Sequence, residues 1–251
     1  HRDELPAILC CHDKTPQGKD EPAGIDGDVN LAFAHHYADL GYVTLAPDSV
    51  VAGERVATGA EPYDTKAYYK DKPPLCVLGK MLLDHMQGLT VLEDFKAVDP
   101  ARLGVIGHGL GGMNALMLAA FDERIRACVA SCPFTRFADD DRPERWLDDE
   151  GYSLMPKLKD AVGSRSFDWD WEHIIALAAP NPTLLFAPQG DEGPCSAKSV
   201  ETAVKSAATA YKLLGRPDDL RLKTHQKGRT MTRAQVDDAD AWFERAVAAG
   251  A

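Results

Sequence analysis

The chain has 251 residues, enough for one large α/β domain with a sizeable core. Hydrophobic residues make up 45% and charged residues 27%, the balance of a soluble globular protein. The net charge of −11, with no basic cluster, argues against a nucleic-acid partner, and no apolar run is long enough to cross a membrane.

Strand and helix alternate along the chain. Residues 5–11 form an apolar strand, followed by a polar loop from His12 to Pro22. Residues 31–40 have helical composition and stop at Gly41. Residues 42–46 are the next strand, closed by Pro47-Asp48. Irregular charged sequence leads to a long helix over 79–95, with Met81, Leu82, Met86, Leu89 and Leu92 at its apolar positions. Asp99-Pro100 ends the link to a buried strand over 103–106, and a helix follows over 113–120. Residues 127–132 are a further strand. The polar stretch 133–168 is expected to be a loop-rich insertion over one end of the sheet, where binding loops collect. A helix over 169–179 contains His173. Then come a strand at 183–187, a helix at 199–214, a last strand at 220–224 and a closing helix at 234–248. This alternation predicts an α/β fold in a single domain over 1–251, with a mainly parallel sheet flanked by helices on both faces.

The centre of the chain carries the most specific signal. Between the strand at 103–106 and the helix at 113–120 stands Gly107-His108-Gly109-Leu110-Gly111-Gly112. Strand, sharp turn and helix match the nucleophile elbow G-x-S-x-G of α/β-hydrolases. The flanking glycines suit a tight turn and a helix packed close to the strand. The position of the serine is Gly109, which has no side chain and can attack nothing. A Rossmann dinucleotide fingerprint is the alternative, since G-x-G-x-G-G approaches G-x-G-x-x-G. Against it, that fingerprint usually opens a domain, and its acidic residue about 20 positions on is hard to place.

The six cysteines are Cys10, Cys11, Cys76, Cys128, Cys132 and Cys195. None forms a C-x-x-C pair, so no structural zinc site is expected. His12, His35, His36 and His108 lack H-E-x-x-H or H-x-x-E-H spacing, so no metal is expected there, and no cofactor is called for.

Several stretches together resemble the dienelactone-hydrolase and acetyl-xylan-esterase-like branch of the α/β-hydrolases. They are His12 with Gly18-Lys19-Asp20-Glu21-Pro22-Ala23-Gly24, Gly41 to Asp48, Gly79-Lys80-Met81, the elbow, Ala120 to Ile125, Ser131-Cys132, Tyr152 to Pro156, and Tyr211 to Gly215. The resemblance implies the α/β-hydrolase fold. It also implies an N-terminal hairpin, which is expected to be missing before the first strand. The compartment is read as either cytoplasmic or secreted after loss of an N-terminal segment.

The resemblance implies ester hydrolysis by Ser, His and Asp, with two backbone N–H groups stabilising the oxyanion. Carried over position by position, the nucleophile falls on Gly109 and the acid on Asp191. The histidine falls on Arg229. Arginine stays protonated at any usable pH and cannot act as general base. It is expected instead to pair with Asp191. His225 is the other candidate base, although an ordinary strand-end histidine is the plainer reading. The oxyanion donors implied are the backbone N–H groups of Asp13 and Leu110. Cys132 is a candidate substitute nucleophile, with His108 or His12 as its base.

Two of the three triad positions therefore depart from the pattern. One expectation is an esterase homologue without catalysis, whose pocket holds a small ester, a carbohydrate-like ligand or a partner. The other is a carboxylesterase disabled by substitution at position 109, or working through Cys132. Trp146, Tyr152, Trp169 and Trp171 either shape the pocket mouth or pack beneath a long loop.

Overall fold

The computed structural model describes residues 4–70, 72–189, 195–226, 228 and 230–248. Six strands form one sheet: β1 (Leu5–Cys11), β2 (Val43–Leu45), β3 (Val98–His108), β4 (Ile125–Ser131), β5 (Thr183–Pro188) and β6 (Leu220–His225). Their order is β2-β1-β3-β4-β5-β6 and every neighbouring pair is parallel. The helices are α1 (Phe33–Asp39), α2 (Lys66–Lys70), α3 (Val77–Glu93), α4 (Leu110–Phe121), α5 (Lys159–Ser164), α6 (Trp171–Leu177), α7 (Ala197–Leu213) and α8 (Arg233–Phe243). This is the mainly parallel, two-faced α/β architecture that the alternation predicts.

Successive residues of a strand point to opposite faces of the sheet. In β1, Ala7, Leu9 and Cys11 join the core beneath α3, α4, α6 and α7, while Ile8 and Cys10 join the core beneath α1 and α8. Val105 and Ile106 divide likewise in β3, as do Cys128 and Val129 in β4. Both faces are apolar because helices cover both, which is why these strands read as continuous hydrophobic runs. Cys10, Cys11 and Cys128 are buried, and burial pushes their thiols up, so they behave as small hydrophobes.

β3 is longer than the four residues expected. Val98 pairs with Leu5, and the register then shifts before Leu103 meets Ala7. Pro100 lies inside that shift, where its missing N–H interrupts no regular ladder. The short helices α2 and α5 carry too few apolar residues for periodicity to reveal them.

The chain moves from β1 outward to β2 and then crosses back to β3 on the other side of β1. The carboxyl ends of β1 and β3 therefore flank the point where strand order reverses, which is where open parallel sheets bind ligands. The loop after β1 is anchored there from below. The Asp48 carboxylate accepts the backbone N–H groups of Lys19 and Glu54 at 2.8 and 2.9 Å, and pairs with the Lys19 ammonium at 3.1 Å. Burial would raise this carboxyl, but those donors outweigh it and hold it below the ordinary aspartate range.

Candidate active site

Gly109 links β3 to α4 with φ +54° and ψ −117°. This is the sharp strand-to-helix turn of an elbow, in a region that glycine enters without strain. Close packing sets the next glycine. A Cβ on Gly111 would stand 2.1 Å from the carbonyl oxygen of Cys11 at the end of β1. Met113 donates its N–H to the Gly109 carbonyl, so α4 begins directly at the turn. Residues 110–119 of that helix are all buried, so it packs as a central element of the core rather than as an amphipathic one.

The space a nucleophile would use is filled from the loop after β1. A Cβ on Gly109 would lie 2.1 Å from Asp13 Oδ1, 2.4 Å from Cγ and 2.5 Å from Oδ2. The Leu110 N–H donates to Asp13 Oδ1 at 2.7 Å, and the Lys14 N–H donates to the same oxygen at 2.7 Å. The sequence points to the N–H groups of Asp13 and Leu110 as an oxyanion hole. In the structure the Leu110 donor is engaged by the Asp13 side chain, with Lys14 as the second donor.

The loop that carries Asp13 is pinned on both sides. His12 Nε2 accepts the Ser49 N–H at 2.9 Å, which leaves Nδ1 protonated to donate to the Asp13 carbonyl at 2.7 Å. Burial lowers the His12 pKa, in keeping with this neutral tautomer. The Tyr63 hydroxyl accepts the Thr15 N–H at 3.0 Å and donates to the Thr15 carbonyl at 2.7 Å. With both ring nitrogens committed, His12 supports the loop rather than serving a thiol.

A cavity of about 380 Å³ opens above Gly109. Asp13, Leu110, Met113, Cys132, Trp146, Tyr152 and Leu154 line it, together with the charged Lys14, Arg142, Arg145 and Asp149. Lys14 lies 4.5 Å from the Tyr152 ring centroid and 3.5 Å from an Asp149 carboxylate oxygen. The stretch 133–168 thus contributes much of the wall. Its aromatics divide: Trp146 and Tyr152 face the cavity, whereas Trp171 is wholly buried and stacks on Phe134 at 4.9 Å. Trp169 packs edge-on against Phe137.

Cys132 follows β4 with φ +50° and lines the same cavity. Ser131 Oγ lies 2.9 Å from His108 Nδ1 and 3.9 Å from Cys132 Sγ, so the hydroxyl stands between imidazole and thiol. His225 ends β6, with β4 and β5 between it and β3, and it is not among the described residues lining the cavity. His36 pairs with Asp240 at 2.8 Å and His35 with Asp39 at 3.5 Å, both away from the elbow. Asp191 and Arg229, and the pair expected between them, lie outside the described residues. Among the described residues no group of His, Cys, Asp and Glu could hold a metal, and no helix is long and apolar enough to cross a membrane. Tyr63 and the Asp13 side chain were not singled out by motif. The available signal for Asp13 was an acid directly after a strand, beside a glycine in the nucleophile's place.

This sheet, with a glycine elbow at the reversal of strand order, defines an α/β-hydrolase fold. Solved structures agree. A carbohydrate esterase family 15 glucuronoyl esterase from Caldicellulosiruptor kristjansonii superposes with a TM-score of 0.70 at 18% identity, covering 97% of this chain and 68% of that one. A glucuronoyl esterase from Solibacter usitatus gives 0.73 at 15% identity, covering 96% and 74%. At such identities the likeness speaks for the fold. The acetyl xylan esterase family model matches residues 68–142, which include the elbow. YtaP of Bacillus subtilis (strain 168), named as a hydrolase, is 31% identical over 131 residues, covering 51% of this chain and 43% of that protein. The quorum-quenching protein AidA of Acinetobacter baumannii (strain MDR-ZJ06) is 25% identical over 167 residues, covering 64% and 49%. The matched part of the chain spans about half of each of these two relatives. The chain thus has the α/β-hydrolase fold, and its partial sequence similarities include one to the acetyl xylan esterase family over residues 68–142.

Proposed function

We propose that this chain is an esterase-type α/β-hydrolase homologue in which serine-based ester hydrolysis has been lost, while a ligand pocket is kept above the elbow. The observation that carries this reading is the Asp13 carboxylate. It holds the Leu110 N–H at 2.7 Å and fills the volume that a side chain at position 109 would need. An acyl substrate requires a nucleophile at the elbow and vacant donors for its tetrahedral oxyanion. Position 109 offers no nucleophile, and a fixed carboxylate competes for a donor. The sequence adds Arg229 at the histidine position, which supports the same reading.

The pocket suits a small ligand with a polar or carbohydrate-like surface, because aromatic walls and paired charges line it together. Turnover of a short-chain aryl ester tests the proposal. The unaltered chain is expected to be silent. Asp13→Gly, Gly109→Ser and Arg229→His together restore the missing parts and are expected to raise turnover above that background.

A second reading is favoured by one arrangement, the buried Ser131 hydroxyl between His108 and Cys132, of which Cys132 lines the cavity. Ester turnover by the unaltered chain that disappears in Cys132→Ala would select it.

A further inference from the structure

Next to the elbow cavity lies a second one of about 510 Å³, lined from the 135–145 stretch and from the start of α7. Arg142 and Arg145 line both cavities, so the two share a wall. Every described residue that lines the second cavity has a polar or charged side chain, in contrast to the apolar Leu110, Met113 and Leu154 of the first. Charges of both signs converge there, and several are spent on each other. Arg145 holds Asp140 at 2.6 Å and Asp141 at 3.1 Å, and the other Asp140 oxygen accepts the Trp146 Nε1–H at 3.0 Å. Three charged groups are left over. Asp139 accepts the Ser199 hydroxyl at 2.7 Å and an Arg136 N–H at 3.2 Å through Oδ2 alone, and its Oδ1 takes no hydrogen bond among the described residues. The exposed Arg142 and Lys198 form no ion pair among the described residues. Thr135 lines the same cavity and is only 5% exposed. Its Oγ1 accepts the Ser196 N–H at 3.0 Å, while its own hydroxyl proton has no acceptor among the described residues.

We propose that this second cavity binds a free α-amino acid with a neutral polar side chain. The carboxylate of the ligand pairs with Arg142 and Lys198, and its ammonium group pairs with Asp139 Oδ1. Charge balance selects the zwitterion. A bare anion would answer Arg142 and Lys198 but leave Asp139 facing like charge, and a bare cation would do the reverse. A zwitterion satisfies both signs at once, and a charged side chain would bring one sign back into excess. The polar lining gives an apolar side chain nothing to pack against. An amide side chain instead accepts the Thr135 hydroxyl, a buried donor with no other acceptor among the described residues. The site stands apart from position 109 and does not depend on which chemistry the elbow performs.

Titration calorimetry of the unaltered chain with L-glutamine tests the site. The expected result is saturable binding with a Kd in the millimolar range or tighter. Two probes remove one charge each: glutaramate lacks the ammonium group, and 4-aminobutanamide lacks the carboxylate. Each should bind about tenfold more weakly than glutamine. Arg142→Gln and Lys198→Gln alter exposed side chains without ion partners, so both variants should fold, and each should weaken glutamine by about tenfold. Arg142 also lines the elbow cavity and Lys198 also lines a groove beside β6, but only the proposed cavity is lined by both. Dependence on both residues therefore locates the ligand. Asp139→Asn should abolish the preference for glutamine over glutaramate. Should that variant not fold, the preference measured in the unaltered chain carries the ammonium contact. Absence of saturable binding overturns the inference, as does a probe with one charge that binds as tightly as glutamine. Loss of binding in Arg142→Gln with full binding in Lys198→Gln overturns it too, because the ligand would then sit in the elbow cavity.

Discussion

Asp13 and Gly109 share one volume. The carboxylate of one occupies the place where a side chain on the other would begin, with 2.1 Å between Oδ1 and the Cβ position. No real Cβ contact is that short, so the two positions are coupled: a residue larger than glycine at 109 requires Asp13 to move.

Gly109→Ser alone is therefore expected to destabilise the fold rather than restore an enzyme. The serine must accept a positive φ and displace a carboxylate held by two N–H groups, at a cost of about 1–3 kcal/mol. In an Asp13→Gly background the clash disappears and the same substitution should cost clearly less. Thermal unfolding of the four chains in a double-mutant cycle reads the coupling. Equal costs in both backgrounds would show that the two residues do not compete for space.

Tyr63→Phe addresses how the carboxylate is aimed. The hydroxyl of Tyr63 accepts from the Thr15 N–H and donates to the Thr15 carbonyl, and the residue is buried. Removing it leaves both backbone groups without that partner, which costs about 1–3 kcal/mol. The loop at 12–15 should also open more readily. Amide hydrogen exchange at Lys14 and Thr15 is expected to accelerate, while exchange in β3 and α4 tracks only the global change. An unchanged loop exchange rate would remove Tyr63 from its assigned role.

Much of this architecture was legible before any coordinates. All six strands and the longer helices appear where apolar periodicity and glycine stops place them, because every strand but the edges is covered on both faces. The elbow was legible for a similar reason: Gly107 and Gly111 answer to backbone contacts that admit no side chain, and Gly109 to a positive φ. The loop after β1 was not. Whether Asp13 offers its N–H or its carboxylate to the site depends on how His12 and Tyr63 hold the backbone, and Tyr63 is 50 residues away in sequence. The mouth of the cavity was hidden likewise, since Lys14 meets Tyr152 and Asp149 only through the folding of the 133–168 stretch. Composition could not say which tryptophans face the pocket and which fill the core.

His85 links the core to pH. It lies in α3, 1% exposed, with no partner for Nδ1 among the described residues. Burial, reinforced by nearby His12, lowers its pKa to about 4. An unfolded chain returns it to the ordinary histidine value of about 6.5. Between those values the unfolded state binds the proton and the folded state does not, so stability falls as pH drops through that window. His85→Leu removes this site from the balance. The slope of unfolding free energy against pH between about 6.5 and 4 should flatten in the variant, measured by urea denaturation at several pH values. A slope equal to that of the unaltered chain would mean that His85 takes up its proton without opening the core.

Asp170 joins the 133–168 stretch to the body of the protein. Its carboxylate accepts the N–H groups of Trp171, Phe137 and Ala138 at 2.8, 2.9 and 3.0 Å, capping α6 and holding the wall of the cavity at once. His173 completes the cap by accepting the Asp170 N–H through Nδ1 at 3.1 Å. Burial raises the Asp170 carboxyl above the ordinary range despite those three donors, so the group is held in an apolar setting where losing it is costly. Asp170→Ala strands three backbone donors and is expected to destabilise the protein by about 2–4 kcal/mol. Asp170→Asn, which keeps an acceptor but loses the charge, should fall between the two. The tryptophans provide the readout. Trp171 stacks on Phe134 only while α6 is seated, so the alanine variant should show altered near-ultraviolet circular dichroism under native conditions. Native-like aromatic signal with full stability in Asp170→Ala would assign the anchoring of this wall to the Arg136–Glu172 pair, which spans the same seam at 2.9 Å.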